Sequence, residues 1–137
     1  MKKQPGTGVV YLDRGPIPVF IGVCLSQRAW DAEMTRLGVD GQHIFSDEDA
    51  IATTHHLAQA NGKGAIAIIC LDKKKLKGDS VGNVFNTISH ECAHVMQIIE
   101  EYTGGYKLGV EMEAYIMGWL AESVLEVILP KLARQKL

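Results

Sequence analysis

Cysteine is scarce in this chain, and its spacing excludes a disulfide framework. The three cysteines, Cys24, Cys70 and Cys92, are far apart, odd in number and form no CxxC pair. This usage is typical of reduced thiols in a cytosolic protein. No apolar run reaches the length of a membrane span, and the N-terminal residues contain no apolar core of a secretory signal. We therefore expect a cytoplasmic protein that does not act on a membrane.

A strong charge of either sign is also missing. The formal net charge is −2, with 22% charged and 47% hydrophobic residues, which is ordinary globular composition. Such a balance argues against nucleic acid as a partner. The one dense basic run, residues 73–77, is short and is interpreted as a solvated turn. A length of 137 residues suits one compact domain, so we predict a single domain over residues 1–137.

Apolar periodicity along the chain predicts an α+β fold. We predict strands over residues 9–12, 17–25, 50–58 and 65–71, and helices over about 27–37, 81–102 and 110–128. Ser26 and Gly38 bound the first helix, and Pro130 is expected to stop the last. Residues 72–79 are expected to form a charged loop. The layout favours a small antiparallel or mixed sheet with the two long helices packed on one face.

The segment HECAH, residues 90–94, carries the clearest chemical pattern. His90 and His94 are four residues apart, so on a helix they lie on one face and can aim at one point. Imidazole nitrogens bind zinc at about 2.0–2.1 Å. Glu91 projects about a quarter-turn away and is suited to take a proton from a water beside the metal. This pattern predicts a zinc site with Glu91 as general base; the alternative is a surface helix with two incidental histidines.

A hydrolytic zinc site needs a third protein ligand, and two carboxylates begin the next predicted helix. Glu111 and Glu113 are two residues apart, so they point to nearly opposite sides of that helix. The apolar stripe of the helix is predicted to comprise Val110, Ala114, Met117, Ala121, Val124 and Ile128. Glu111 flanks this stripe on the side of its small residues, which allows close approach of the histidine helix. We therefore favour Glu111 as the third ligand, with Glu113 as the alternative.

With these residues the sequence resembles the gluzincin metallopeptidases, and is especially similar to small metallopeptidase domains encoded by phages and prophages. HECAH, the downstream EMEAY and the preceding hairpin TTHHLAQANGKGAIAIICL carry the resemblance, which covers about residues 50–125. It implies a zinc hydrolase acting on a peptide or protein, with a metal-bound water activated by Glu91. Glu111 opens the ExxA pattern of several gluzincin groups, and Tyr115 stands where the larger families carry Asp.

The sequence does not single out the residue that would stabilise an oxyanion. The candidates are Tyr102, Tyr106, Tyr115, His55 and His56. Because His55 and His56 alternate along their strand, at most one of them faces the cleft. The absent Asp and the small size of the chain motivate a second hypothesis: a non-catalytic zinc-binding structural or interaction module of a phage or prophage. The last helix is apolar on more than one side, which fits either a homodimer contact or an enclosed position.

Overall fold

The computed structural model describes residues 2–3, 8–13, 17–40, 43–58, 64–103 and 109–133. These residues contain a five-stranded mixed sheet with the strand order β1-β2-β3-β5-β4. Its strands are β1 (Lys2–Lys3), β2 (Val10–Tyr11), β3 (Val19–Cys24), β4 (Ala52–Ala58) and β5 (Ala65–Leu71). Strands β3 and β5 are parallel, and the other neighbouring pairs are antiparallel. The mixed sheet and its helices confirm the α+β prediction.

Four helices accompany the sheet in the described part of the chain. They are α1 (Gln27–Leu37), α2 (Lys73–Lys77), α3 (Val81–Tyr102) and α4 (Val110–Ala133). Buried residues of α3 and α4 share one core with the sheet face that carries Val23 and Ile69. Helix α1 packs on the opposite face, where Trp30 is fully buried. The two long helices therefore lie on one face as predicted, and α1 closes the other.

Strand β5 lies inside the sheet between β3 and β4, and β4 forms one edge. All seven residues of β5 are buried, because the strand pairs on both sides and is covered on both faces. Such a strand reads as a continuous apolar run rather than an alternating one. Among the described residues, no strand pairs with the outer side of β4. The outer edge of β4 is therefore available to pair with the backbone of another strand.

Capping residues account for the first helix as predicted. The side chain of Ser26 accepts a hydrogen bond from Ala29 N at 3.1 Å, which satisfies a free donor of the first turn. Gly38 ends the helix with a φ of 71°, a left-handed conformation that a residue without a Cβ adopts at little cost. Residues 27–37 are thus helical as predicted from local chemistry alone.

Two boundary predictions are wrong. Residues 73–77 form a short helix rather than a loop, because Asp72 caps its first turn by accepting from Lys75 N at 3.2 Å. Helix α4 continues past Pro130 to Ala133. Proline removes one backbone donor, and at an exposed position in the last turn this loss affects a single intrahelical bond.

The predicted apolar stripe of α4 is also wrong in its first half. Val110 is 84% exposed, and Ala114 is exposed as well. The fully or nearly buried residues of the helix are Leu120, Val124, Val127 and Ile128. The first turns of α4 therefore extend beyond the core, with Tyr115 at 72% exposure. A homodimer through α4 stays a prediction.

None of the helices in the described ranges is long and apolar enough to cross a bilayer.

Candidate active site

Helix α3 carries the predicted residues on the side that faces the edge strand. It begins at Ser80, whose side chain accepts from Asn83 N at 3.1 Å. Its core side includes Ile88, Cys92 and Val95, all essentially buried. The helical repeat then turns His90 and His94 away from the core. One face of the helix therefore anchors it to the sheet while another supplies polar groups to a cleft.

The cleft lies between α3, the edge strand β4 and the loop before that strand. Its volume is about 440 Å³, and it is open to solvent. From α3 it is lined by His90, Glu91, His94, Gln97, Ile98 and Glu101; from β4 and the preceding loop it is lined by Ser46, Ala52, Thr53, Thr54 and His56. The three residues of the HExxH pattern that were predicted to act together thus open into one space.

The two imidazoles of the motif meet through their Nε2 atoms. The Nε2 atoms of His90 and His94 are 3.2 Å apart. Two nitrogens bound to one tetrahedral zinc at about 2.0–2.1 Å are separated by about 3.3–3.4 Å. The pair therefore fits two corners of a zinc tetrahedron. Without a metal the same distance suits a hydrogen bond from one ring to the other.

Gln97 orients one of these rings, a role that the sequence reading missed. Its Oε1 lies 3.0 Å from Nδ1 of His94. A carbonyl oxygen can only accept, so this contact suits the tautomer with the proton on Nδ1, in which Nε2 of the neutral ring keeps its lone pair. Metal-binding histidines generally donate the N–H of their other ring nitrogen to a hydrogen-bond acceptor of this kind. The spacing from His94 to Gln97, one helical turn, is a signal that could have identified it.

Glu91 is one of two buried charged residues in the described chain. Thr54 donates its hydroxyl to Oε1 of Glu91 at 2.6 Å, which joins the edge strand to the motif helix. Oε2 carries no hydrogen bond from another described residue. A buried carboxylate with one neutral donor and a cleft beside it is available for proton transfer. Thr54 is 37 residues from Glu91 in the sequence, and only the tertiary structure reveals the pair.

The third ligand is the part of the predicted site that the structure does not bring together. Neither Glu111 nor Glu113 lines the cleft. Within the described ranges, no three His, Cys, Asp or Glu side chains lie close enough to hold one metal ion. Glu111 is exposed, whereas Glu113 is half-buried. Glu113 lies seven residues before the buried Leu120, on the core-facing side of α4.

The orientation of the two acids follows from the corrected stripe of α4. Glu111 was favoured because it flanks the predicted stripe on the side of its small residues, and Ala114, the first of these, is exposed. Zinc ligation at either acid stays a prediction, and orientation now favours Glu113. In the cleft, His90 and His94 thus fit two of the four ligand positions around one zinc ion.

Other residues of the predicted site have clear positions. Cys92 is fully buried, and burial raises the pKa of its thiol to about 11, so it belongs to the core rather than to the ligands. Tyr102 and Tyr115 are exposed and do not line the cleft. Tyr106 lies outside the described residues. Of the described oxyanion candidates, His56 lines the cleft.

Comparison with known proteins adds no relative. No protein-family profile matches the chain, and no curated protein or solved structure matches it significantly. The resemblance to gluzincin metallopeptidases therefore stays a prediction that depends on this chain's own residues.

Proposed function

We propose that this protein is a zinc-dependent peptide hydrolase whose site is built by His90, His94 and Glu91. The observation that carries the proposal is the 3.2 Å separation of the two Nε2 atoms, in a cleft that also holds the buried carboxylate of Glu91 with its hydrogen bond from Thr54. Bound zinc would supply a Lewis acid that lowers the pKa of a water and polarises a carbonyl group. The third protein donor would come from the first turn of α4, with Glu113 now preferred over Glu111.

The edge strand supports an extended peptide as the substrate. Asp72 N donates to Ile51 O at 2.8 Å, which makes Ile51 and Asp72 a hydrogen-bonded pair of the β4–β5 ladder. Such pairs alternate along antiparallel strands. The backbone groups of Thr54 and His56 therefore point to the outer edge of the sheet, beside the cleft. A substrate strand can pair with them there, whereas β5 is already paired on both sides.

Glu91 would move the proton in this reaction. Thr54 occupies Oε1 of Glu91, so Oε2 would accept a proton from the attacking water and return it to the leaving amine nitrogen. Gln97 would hold the ring of His94 with its Nε2 lone pair toward the cleft. Thr54 would keep the carboxylate aligned with a peptide on β4. We place this activity in the cytoplasm, where the three unpaired cysteines, all buried, would stay reduced.

Zinc content and hydrolysis test the proposal together. We expect the wild type to bind one zinc ion, measured by atomic absorption, and to cleave members of an internally quenched hexapeptide library. His94→Ala should lose the zinc because one of two adjacent imidazoles is gone. Glu91→Gln should keep the zinc and lose about 10³-fold in kcat, since a general base typically contributes this much. The control is His43→Ala, which alters an exposed loop residue outside the cleft.

The outcomes separate the two functional hypotheses. Full zinc content in His94→Ala would refute the metal site. A wild type that binds zinc, is destabilised by chelation and cleaves nothing would instead support the non-catalytic zinc-binding module. Unchanged hydrolysis in Glu91→Gln would remove the proposed base.

A further inference from the structure

Two adjacent histidines of β4 have opposite environments. His55 lies on the α1 side, where its ring contacts Trp30 with centroids 4.3 Å apart and planes tilted by 36°. Its Nε2 lies 2.8 Å from Ile44 O, within hydrogen-bond distance. His56 points to the other side of the sheet, as strand alternation requires, and its exposed ring lines the cleft. One ring is therefore fixed by the core, and the next one in the chain is presented to the candidate active site.

The ring of His56 is not used by any structural interaction in the described part of the chain. It makes no hydrogen bond, ion pair or ring contact with another described residue. An imidazole always carries at least one N–H and can donate it to a ligand. An exposed histidine without a structural partner, on the wall of a cleft that holds a buried carboxylate, is a candidate for contact with substrate.

His56 shares the cleft with the imidazole pair but lies outside their ligand distance. No third His, Cys, Asp or Glu among the described residues is close enough to His90 and His94 to hold the same metal ion. A residue that lines the same space at a greater distance is suited to bind a group of the substrate rather than the metal. In a hydrolase that group is the carbonyl oxygen, where negative charge develops in the transition state.

We propose that His56 donates its imidazole N–H to the carbonyl oxygen of the scissile peptide bond. This inference rests on the proposed function. Thr54, which contacts Glu91, and His56 are two residues apart, so their side chains leave the same face of β4 about 7 Å apart. A peptide paired with the outer edge of β4 would then have one carbonyl between Glu91 on one side and His56 on the other.

The position of His56 on β4 also bears on how the substrate backbone would be placed relative to the site. Backbone groups of Thr54 and His56 face the free edge, so the residue that orients Glu91 and the residue that binds the oxyanion both belong to the docking strand. A shift of the peptide by two residues along β4 would move the carbonyl away from both side chains. The register of pairing would therefore select the bond that is cleaved.

Binding of a transition-state mimic tests the role of His56. We would measure the dissociation constant of a phosphinic tetrapeptide, by calorimetry, on the zinc-loaded full chain. His56→Phe should weaken this binding about 100-fold, the usual cost of one oxyanion donor. His56→Gln keeps an N–H donor and should recover part of the loss. The KM for a cleaved hexapeptide should change little, while kcat should fall in parallel with affinity for the phosphinic peptide.

A neighbouring variant serves as the control. His55→Gln removes the ring that contacts Trp30 on the other face, so it should lower the thermal midpoint without changing affinity for the phosphinic peptide relative to zinc content. Phosphinic binding by His56→Phe within threefold of wild type would overturn the proposal. If His56→Phe fails to fold, the comparison of His56→Gln with His56→Ala decides, since only the former retains a donor.

Failure of this inference is distinguishable from failure of the proposed function. If Glu91→Gln abolishes hydrolysis and His56→Phe does not weaken phosphinic binding, the hydrolase stands and His56 is not the donor. If the zinc-loaded wild type neither cleaves peptides nor binds the phosphinic peptide, both proposals are refuted. If it binds the peptide through His56 but cleaves nothing, the site recognises a tetrahedral anion and the hydrolase is refuted.

Discussion

Two carboxylates are buried in the described chain, one on each face of the sheet, and their surroundings differ completely. Glu33 on α1 is 0% exposed and is bound by Arg36 through Nε at 2.8 Å and Nη2 at 2.5 Å. It also accepts the hydroxyl of Tyr11. Glu91 on α3 is 6% exposed and accepts a hydrogen bond from the neutral hydroxyl of Thr54. Arg36 neutralises the charge of Glu33, whereas no cation among the described residues neutralises that of Glu91.

The difference in pairing distinguishes a buried acid that stabilises the fold from one that is available for chemistry. A buried charge is expensive unless it is paired and hydrogen-bonded. Glu33 meets both conditions. Its charge also affects Tyr11: burial and the nearby Glu33 carboxylate together raise the pKa of the Tyr11 hydroxyl well above its usual range. Glu91 lacks a protein cation among the described residues but opens on a pair of imidazoles. We interpret that imbalance as the mark of a group kept for proton transfer.

The largest expected effect contrasts the two acids directly in stability. Glu33→Gln should lower the free energy of unfolding by about 3 kcal/mol, because it breaks a buried charge pair and its bidentate geometry. Because the Arg36 side chain is 42% exposed, water can solvate its guanidinium group in the variant, which offsets part of the lost stability. Glu91→Gln should change stability by less than about 0.5 kcal/mol, since no cation loses its partner. Urea unfolding measures both; equal losses would contradict the comparison.

Local chemistry explains which parts of this contrast are visible in the sequence. Caps at Ser26, Gly38 and Ser80 fix helix limits through contacts within four residues, so α1 and α3 could be predicted from the chain alone. The spacing of His90 and His94 is equally local. These features need no knowledge of what packs around them.

Long-range packing decides the remainder. Alternation places His55 and His56 on opposite faces, but both faces are covered by helices, so no sequence pattern says which ring meets the cleft. Thr54 reaches Glu91 only because β4 is the sheet edge beside α3. The first turn of α4 was oriented from apolar residues that prove to be exposed, and Val110 shows why: apolar character at a helix end does not ensure burial.

The second prediction asks whether a metal supplies the cation that Glu91 lacks. If α4 contributes the third ligand on zinc binding, Glu113→Gln should weaken zinc binding by at least tenfold, as losses near a metal typically do. Glu111→Gln should leave zinc affinity within about twofold, because its side chain faces away from the core. Competition with a chromogenic chelator gives both constants. A loss confined to Glu101→Gln, a residue of the cleft wall, would assign the third donor to α3 instead.

The smallest effect concerns the single hydroxyl that holds Glu91. Thr54→Val keeps the shape of the side chain but removes the 2.6 Å hydrogen bond to Oε1, so the carboxylate is less well aligned and kcat should fall about fivefold. Thr54→Ser retains the hydroxyl and should restore kcat, an outcome that a packing role for the lost methyl group would not give. Zinc content should stay unchanged in both variants.

A matched threonine on the same strand completes this test. Thr53 uses its hydroxyl to accept from Ser46 N at 3.1 Å, which anchors the loop before β4 rather than the motif helix. Thr53→Val should therefore lower stability slightly while leaving kcat per bound zinc within twofold. If Thr53→Val and Thr54→Val reduce kcat equally, Glu91 depends on the general integrity of the edge strand and not on its own donor. The contrast with Glu33 would then lie in packing rather than in hydrogen bonding.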